Sequence, residues 1–299
     1  MSERTAVGVG PARVDIAYEM VGDPGDPALL LVMGAGAQLV HWPDGFCAEL
    51  VGRGFRVIRF DNRDAGHSTH LVNAPEPDIM AAIGCDVSST AYTLSDMAAD
   101  AVGLLDALGV DSAHVVGLSQ GGMIAQTLAA EHPARARSLT SISSTTGNPG
   151  VGQAAPGAFG AGGPPPQDRD GYIAWRVGVT RALASPGFVF DEAAVAATAA
   201  RAYDRDHDFA SMMRQMIAVL ATGDRTAQLH TVHAPTLVIH GTDDPIIDVS
   251  GGRATAAAIP GAELVVVDGL GHSLPRELWP EFADRIGELA RRADTAAHH

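Results

Sequence analysis

Residues 113–126 read AHVVGLSQGGMIAQ. The first five, AHVVG, form a near-continuous apolar run of the kind found in strands buried on both faces of a parallel sheet. Residues 121–131 carry helical spacing and end at His132-Pro133. Between them lies Gly117-Leu118-Ser119-Gln120-Gly121, a G-x-S-x-G pentapeptide. A serine on so sharp a strand-to-helix turn takes strained backbone angles. Side chains two residues away on either side would clash there, so glycine is required. Gly122 further eases close packing of the helix. Glycine and serine are common, so the bare pentapeptide is a weak signal; a strand before it and a helix after it make it a strong one.

The same alternation extends in both directions. Apolar runs recur at 28–33 (ALLLVM), 55–60 (FRVIRF), 138–143 (SLTSIS), 235–240 (PTLVIH) and 262–267 (AELVVV). Residues 94–108 place Leu94, Met97, Ala98, Ala101, Leu104, Leu105 and Leu108 on one helical face, with Gly109 as a C-cap. A last helix is expected over 280–292. Residues 12–19, before the Gly22-Asp23-Pro24 turn, read as an antiparallel edge strand. Strands alternating with helices predict an α/β fold with a mostly parallel central sheet flanked by helices.

One region breaks the pattern. Residues 147–167 are rich in Gly, Pro and Ala and predict no regular element. Helical patterns then follow at 172–183, 191–205 and 209–222 without a strand between them. The spacing predicts a core made of residues 1–145 and 231–299, with a helical cap, or lid, over 146–230.

Composition narrows the function. The 299 residues are 46% hydrophobic and 18% charged, enough apolar material for a large core. The net charge of −15, with no Lys/Arg cluster, excludes a nucleic-acid partner, because phosphate backbones need a basic surface. Two cysteines, Cys47 and Cys85, are too few for a disulfide framework. The N-terminal ten residues have no signal-peptide core, and the run at 28–33 is far short of the roughly 20 residues of a membrane helix. The expectation is a cytoplasmic protein with no membrane partner, monomeric or homodimeric. His298 and His299 receive no role.

A serine hydroxyl is a poor nucleophile until a base takes its proton and an acid orients that base. After a strand-to-helix nucleophile turn the expected chain order is Ser, Asp, His. The strand at 235–240 runs into Gly241-Thr242-Asp243-Asp244-Pro245, where the G-x-x-D-x form selects Asp244; Asp243 is the alternative and Asp248 a third. The strand at 262–267 runs into Gly269-Leu270-Gly271-His272, which places His272 as the base. Tetrahedral oxyanions need backbone N–H donors, one after the nucleophile at Gln120 and one in the loop Val32-Met33-Gly34-Ala35-Gly36, at Ala35. In the loop 61–68 (DNRDAGHS) the reading is structural: Arg63 pairs locally and braces the loops beside the nucleophile, and Gly66 relieves a turn. His230, His233 and His240 lack a compact ligand set, so no metal is expected, and the chemistry calls for no cofactor.

LLLVMGAG, the following His41-Trp42-Pro43, DNRDAGHS, HVVGLSQGGMIAQ and HGTDDP together resemble the α/β-hydrolase superfamily. They are most similar to its branch of aclacinomycin methylesterase and related actinomycete esterases. The resemblance runs from about residue 28 to about residue 289. It implies a serine hydrolase with Ser119, Asp244 and His272 as triad, Ala35 and Gln120 as oxyanion donors, and a helical cap over the pocket. It also implies ester cleavage of a small-molecule substrate through an acyl-enzyme. Trp175, Phe188, Met212, Met213 and Met216 are the candidates for an apolar pocket wall. A lactonase, a carbon–carbon bond hydrolase or a perhydrolase would use the same triad. A ligand-sensing protein of this fold would keep it.

Overall fold

The computed structural model describes residues 2–158 and 163–296. Eight strands form one sheet: β1 (Arg4–Val9), β2 (Val14–Val21), β3 (Ala28–Val32), β4 (Arg56–Phe60), β5 (Ala113–Leu118), β6 (Ala136–Ile142), β7 (Thr236–Gly241) and β8 (Glu263–Val267). Their spatial order is β1-β2-β4-β3-β5-β6-β7-β8. The β1–β2 and β2–β4 pairs are antiparallel, and every pair from β4 to β8 is parallel.

The near-continuous apolar strands have a simple cause. Side chains alternate between faces, and both faces are covered. On β3, Leu30 and Val32 join one core cluster while Leu29 and Leu31 join the other. The first cluster packs against α3 (Leu94–Ala107) and α4 (Gln120–Glu131); the second packs against α1 (Asp44–Val51) and α10 (Trp279–Ala296). The amphipathic pattern at 94–108 fits this, and Thr93 caps α3 through a reciprocal bond pair with Asp96.

Three details differ from the sequence expectation. The strand expected at the edge, 12–19, is β2, and it lies one position in; β1 covers it, paired in register from Arg4 opposite Tyr18. The apolar run at 262–267 predicts a strand buried on both faces, yet β8 is the far edge strand and leaves Leu264 and Val266 partly exposed. Position in the sheet decides this, and local sequence does not carry it. Two core-packing helices, α1 and α9 (Val249–Ala258), fall where no helix was expected; both are short and Gly- or Ala-containing, with a weak apolar period.

Between β6 and β7 the chain leaves the sheet. After a stretch with no α-helix or strand among its described residues, it forms α5 (Arg169–Ala182), α6 (Glu192–Arg205), α7 (Phe209–Thr222) and the short α8 (Thr226–Leu229). Residues 159–162 of the Gly/Pro-rich lead-in, and His298 and His299, lie outside the described residues. Aspartates 168, 191 and 208 cap α5, α6 and α7 with their carboxylates. A short helix, α2 (Ile79–Ile83), packs against α7. No helix among the described residues is long and apolar enough to cross a membrane.

Candidate active site

The carboxyl ends of four parallel strands converge on one edge, where open α/β sheets place their ligands. β5 delivers Ser119. Its φ of 59° and ψ of −124° lie in a region that non-glycine residues rarely adopt, a strain of about 1–3 kcal/mol held by the surrounding packing. That packing is visible. Ser119 N–H donates to Ile142 O at 2.9 Å, and Ser144 Oγ donates to Ser119 O at 2.9 Å. A Cβ on Gly117 would run into the Gly121 carbonyl, and one on Gly121 into the Val32 carbonyl, so the flanking glycines of the pentapeptide are sterically required. Ser119 is the N-cap of α4, whose free N–H groups create positive potential at the turn.

β7 delivers Asp244 and β8 delivers His272. His272 Nδ1 lies 2.7 Å from Asp244 Oδ2. The other oxygen, Asp244 Oδ1, accepts from Ile246 N and Ile247 N, each at 2.9 Å. The carboxylate is fully buried. Burial acts to raise its pKa, but the bond and charge of His272 and the two backbone amides outweigh it and hold the group below the usual carboxylate range. Asp243 is instead exposed and accepts from Thr242 Oγ1, and Asp248 caps α9. The structure therefore brings Asp244, and neither competitor, to His272. Ser119 Oγ makes no hydrogen bond among the described residues. Hydroxyl–imidazole contacts at such sites are often long until a substrate is bound.

The loop after β3 passes beside the serine: a Cβ on Gly34 would stand 3.1 Å from Ser119 Cβ. The N–H groups of Ala35 and Gln120 make no hydrogen bond among the described residues. Asn62 Nδ2 donates to Met33 O at 2.9 Å and ties the loop to the one after β4. In that second loop Arg63 forms a buried, bidentate pair with Asp100 of α3 and stacks over Tyr92, so its brace is to a distant helix and not local. Gly66 does serve a turn, at φ 56°.

The segment between β6 and β7 touches this edge at several points that the sequence did not disclose. Gly271 N–H donates to Ser185 Oγ at 2.9 Å, and Ser185 and Ser273 share a 2.7 Å bond. His272 N–H donates to Leu183 O at 3.0 Å. Buried Gln215 of α7 accepts from Gly36 N–H at 2.8 Å. Arg214 pairs with Asp64 in the loop after β4, and Arg205 pairs with Asp61. None of these partners has a motif spacing, so no sequence signal marked them.

Of the five expected pocket residues, Met212 lies against the loop after β3, its side chain filling the space a Cβ on Gly36 would need. Met213 and Met216 are half-buried on the same helix. Phe188 packs on the second core cluster. Trp175 sits among the aromatics of the helical segment, 5.6 Å from the Tyr172 ring. Among the three histidines with metal-like spacing, His230 Nδ1 bonds Ala258 O and His240 Nε2 donates to Ile247 O. His240 is buried 3.6 Å from Asp244, and burial lowers its pKa.

An eight-stranded, mostly parallel sheet with a strained serine turn after a central strand defines a class. The chain belongs to the α/β-hydrolase fold family, whose profile matches residues 27–275. It is 30% identical to the rhodomycin D methylesterase of Streptomyces peucetius, over 94% of this chain and 96% of that enzyme. It is 32% identical to the 2-hydroxymuconate semialdehyde hydrolase of a Pseudomonas strain, over 90% and 88% of the two chains. An esterase structure from a Rhodococcus superposes with a TM-score of 0.70 at 23% identity, covering 98% of this chain and 99% of that one; at this identity the likeness speaks for the fold alone.

Proposed function

We propose that this protein hydrolyses a carboxylic ester of a small to medium apolar molecule, as a carboxylesterase or methylesterase, through a Ser119 acyl-enzyme. The observation that carries the proposal is the Asp244–His272 pair at 2.7 Å on the same sheet edge as a serine held at φ 59°. The likeness to a methylesterase over nearly the whole chain supports the bond type.

In the first step His272 Nε2 takes the Ser119 proton as Oγ attacks the ester carbonyl. Asp244, already bonded to Nδ1, stabilises the imidazolium that forms. The N–H groups of Ala35 and Gln120 receive the oxyanion, at the positive end of α4. The imidazolium then protonates the leaving alcohol. In the second step His272 removes a proton from water, hydroxide attacks the acyl carbon, and Ser119 leaves with that proton. Residues 146–230 act as a cap over this edge, with Met212, Met213 and Met216 offering adaptable apolar contact and Phe188 and Trp175 completing the wall. The enzyme works in the cytoplasm as a monomer or homodimer, without metal or cofactor.

Steady-state hydrolysis of p-nitrophenyl esters from acetate to decanoate tests this. Turnover is expected in wild type and is abolished in Ser119→Ala and His272→Ala, with the chain-length optimum sizing the pocket. Equal rates in wild type and Ser119→Ala would refute it. A parallel series of lactones measures whether a cyclic ester is the better substrate.

A further inference from the structure

Gln215 is fully buried on α7, and it contacts the backbone beside Ala35 and the side chain of Gln120, the two residues that carry the proposed oxyanion donors. Its Oε1 accepts from Gly36 N–H at 2.8 Å, one residue beyond Ala35. Its Nε2 donates to Arg63 O at 2.7 Å, anchoring the amide on the loop after β4. Its main-chain carbonyl accepts from Gln120 Nε2 at 2.7 Å. One residue, 179 positions from Gly36 and 95 from Gln120, thus bonds the backbone next to Ala35 and the side chain of Gln120.

The loop after β3 needs such an anchor. Ala35 is flanked by Gly34 and Gly36, the second at φ 63°, and glycine lowers the barrier to every alternative backbone conformation. Within the loop itself the closing bond is Ala37 N–H to Gly34 O at 3.2 Å, a long one. Directing the Gly36 N–H at Gln215 fixes the peptide plane next to Ala35 and so narrows where the Ala35 N–H can point. Oxyanion donors act through preorganisation, and a donor free to swing loses most of its effect.

We propose that Gln215 is a positioning residue for the oxyanion hole: it holds the Ala35 and Gln120 stretches in register with each other, so that docking of α7 on the sheet edge completes the catalytic site. The inference rests on the reading of Ser119, Ala35 and Gln120 given above. Gln215 touches neither substrate nor reacting atoms. Its effect belongs in kcat, and in the affinity for ligands that form an oxyanion, and not in KM.

The test uses the full chain with p-nitrophenyl butyrate and with an alkyl trifluoromethyl ketone, which adds to a serine and places an oxyanion in the hole. Gln215→Met removes both side-chain bonds at similar volume; Gln215→Glu keeps an acceptor for Gly36 N–H. Gln215→Met should lower kcat about 30-fold or more. KM should stay within about threefold, and the ketone should weaken in step with kcat/KM. Gln215→Glu should recover part of the loss. Where Gln215→Met does not yield folded protein, Gln120→Met, which deletes only the bond to the Gln215 carbonyl, should show the same split between kcat and KM. The proposal is overturned if the folded variant keeps both kcat and ketone affinity within about threefold of wild type, or if only KM moves. Ser119→Ala runs alongside. If it remains active, the underlying site reading has failed; if it is dead while the Gln215 variants match wild type, the positioning role alone has failed.

Discussion

Replacing Asp244 with asparagine isolates one bond. The wild-type carboxylate uses Oδ1 for two backbone donors, Ile246 N–H and Ile247 N–H, and Oδ2 for His272 Nδ1. An asparagine must present its single oxygen to the paired backbone amides, because turning its NH2 toward them would oppose donor to donor in a fully buried place. The NH2 then faces His272 Nδ1, which can only accept. That forces the proton onto Nε2, the nitrogen that receives the serine proton in the proposed mechanism, and it also removes the charge proposed to stabilise the imidazolium. Loss of the correct tautomer in an equivalent triad is worth about 10⁴ in kcat. Asp244→Asn should therefore lose about 10³ to 10⁴, equivalent to about 4 to 5.5 kcal/mol of transition-state stabilisation. The two backbone bonds survive, so the fold should persist and KM should change little. The assay is kcat and KM on a p-nitrophenyl ester, with circular dichroism and the thermal midpoint checking the fold. Asp243→Asn is the control, since among the described residues the exposed Asp243 carboxylate bonds only to the neighbouring Thr242. An Asp244→Asn variant within tenfold of wild type, or an Asp243→Asn variant that loses as much, would refute the tautomer reasoning.

Other expectations concern the frame around the site. His114, fully buried on β5, has its pKa pushed down to about 4 by burial, which outweighs the nearby Asp294. Between pH 6.5 and 4 the unfolded chain binds a proton there that the folded chain does not. Stability is therefore lost as pH falls, by about 2 kcal/mol from pH 7 to pH 5. Urea unfolding of wild type and His114→Phe at both pH values should differ by that amount; parallel pH slopes would contradict it. The buried Arg214–Asp64 pair joins α7 to the loop after β4. Arg214→Met strands the Asp64 carboxylate and should cost about 3 kcal/mol in a denaturant titration, with Asp64→Asn in the same chain recovering more than half. An additive double variant would show that the two groups do not interact.

Much of this molecule is written locally. The parallel sheet was legible because strands covered on both faces must be apolar at every position, as in Leu29 to Val32, and that run needs no partner to be recognised. The serine turn was legible because steric exclusion at Gly117 and Gly121 acts within five residues. Asp244 and His272 could be nominated because each closes a strand, and chain order limits the choice.

Tertiary structure alone decided the rest. The G-x-x-D-x form favours Asp244, but that it and not the adjacent Asp243 meets His272 depends on where two separate strand ends deliver their side chains. Which strand is an edge depends on what lies beside it, so β1 and β8 were misjudged or missed. Gln215, Ser185 and Arg214 were invisible for the same reason. Each is an ordinary polar residue on or beside a helix, and its meaning comes from a partner 80 to 180 residues away that hydrogen-bonds it only once the segment between β6 and β7 has folded back onto the sheet. Hydrogen bonds of that kind are set by distance in space, and sequence separation carries no record of it.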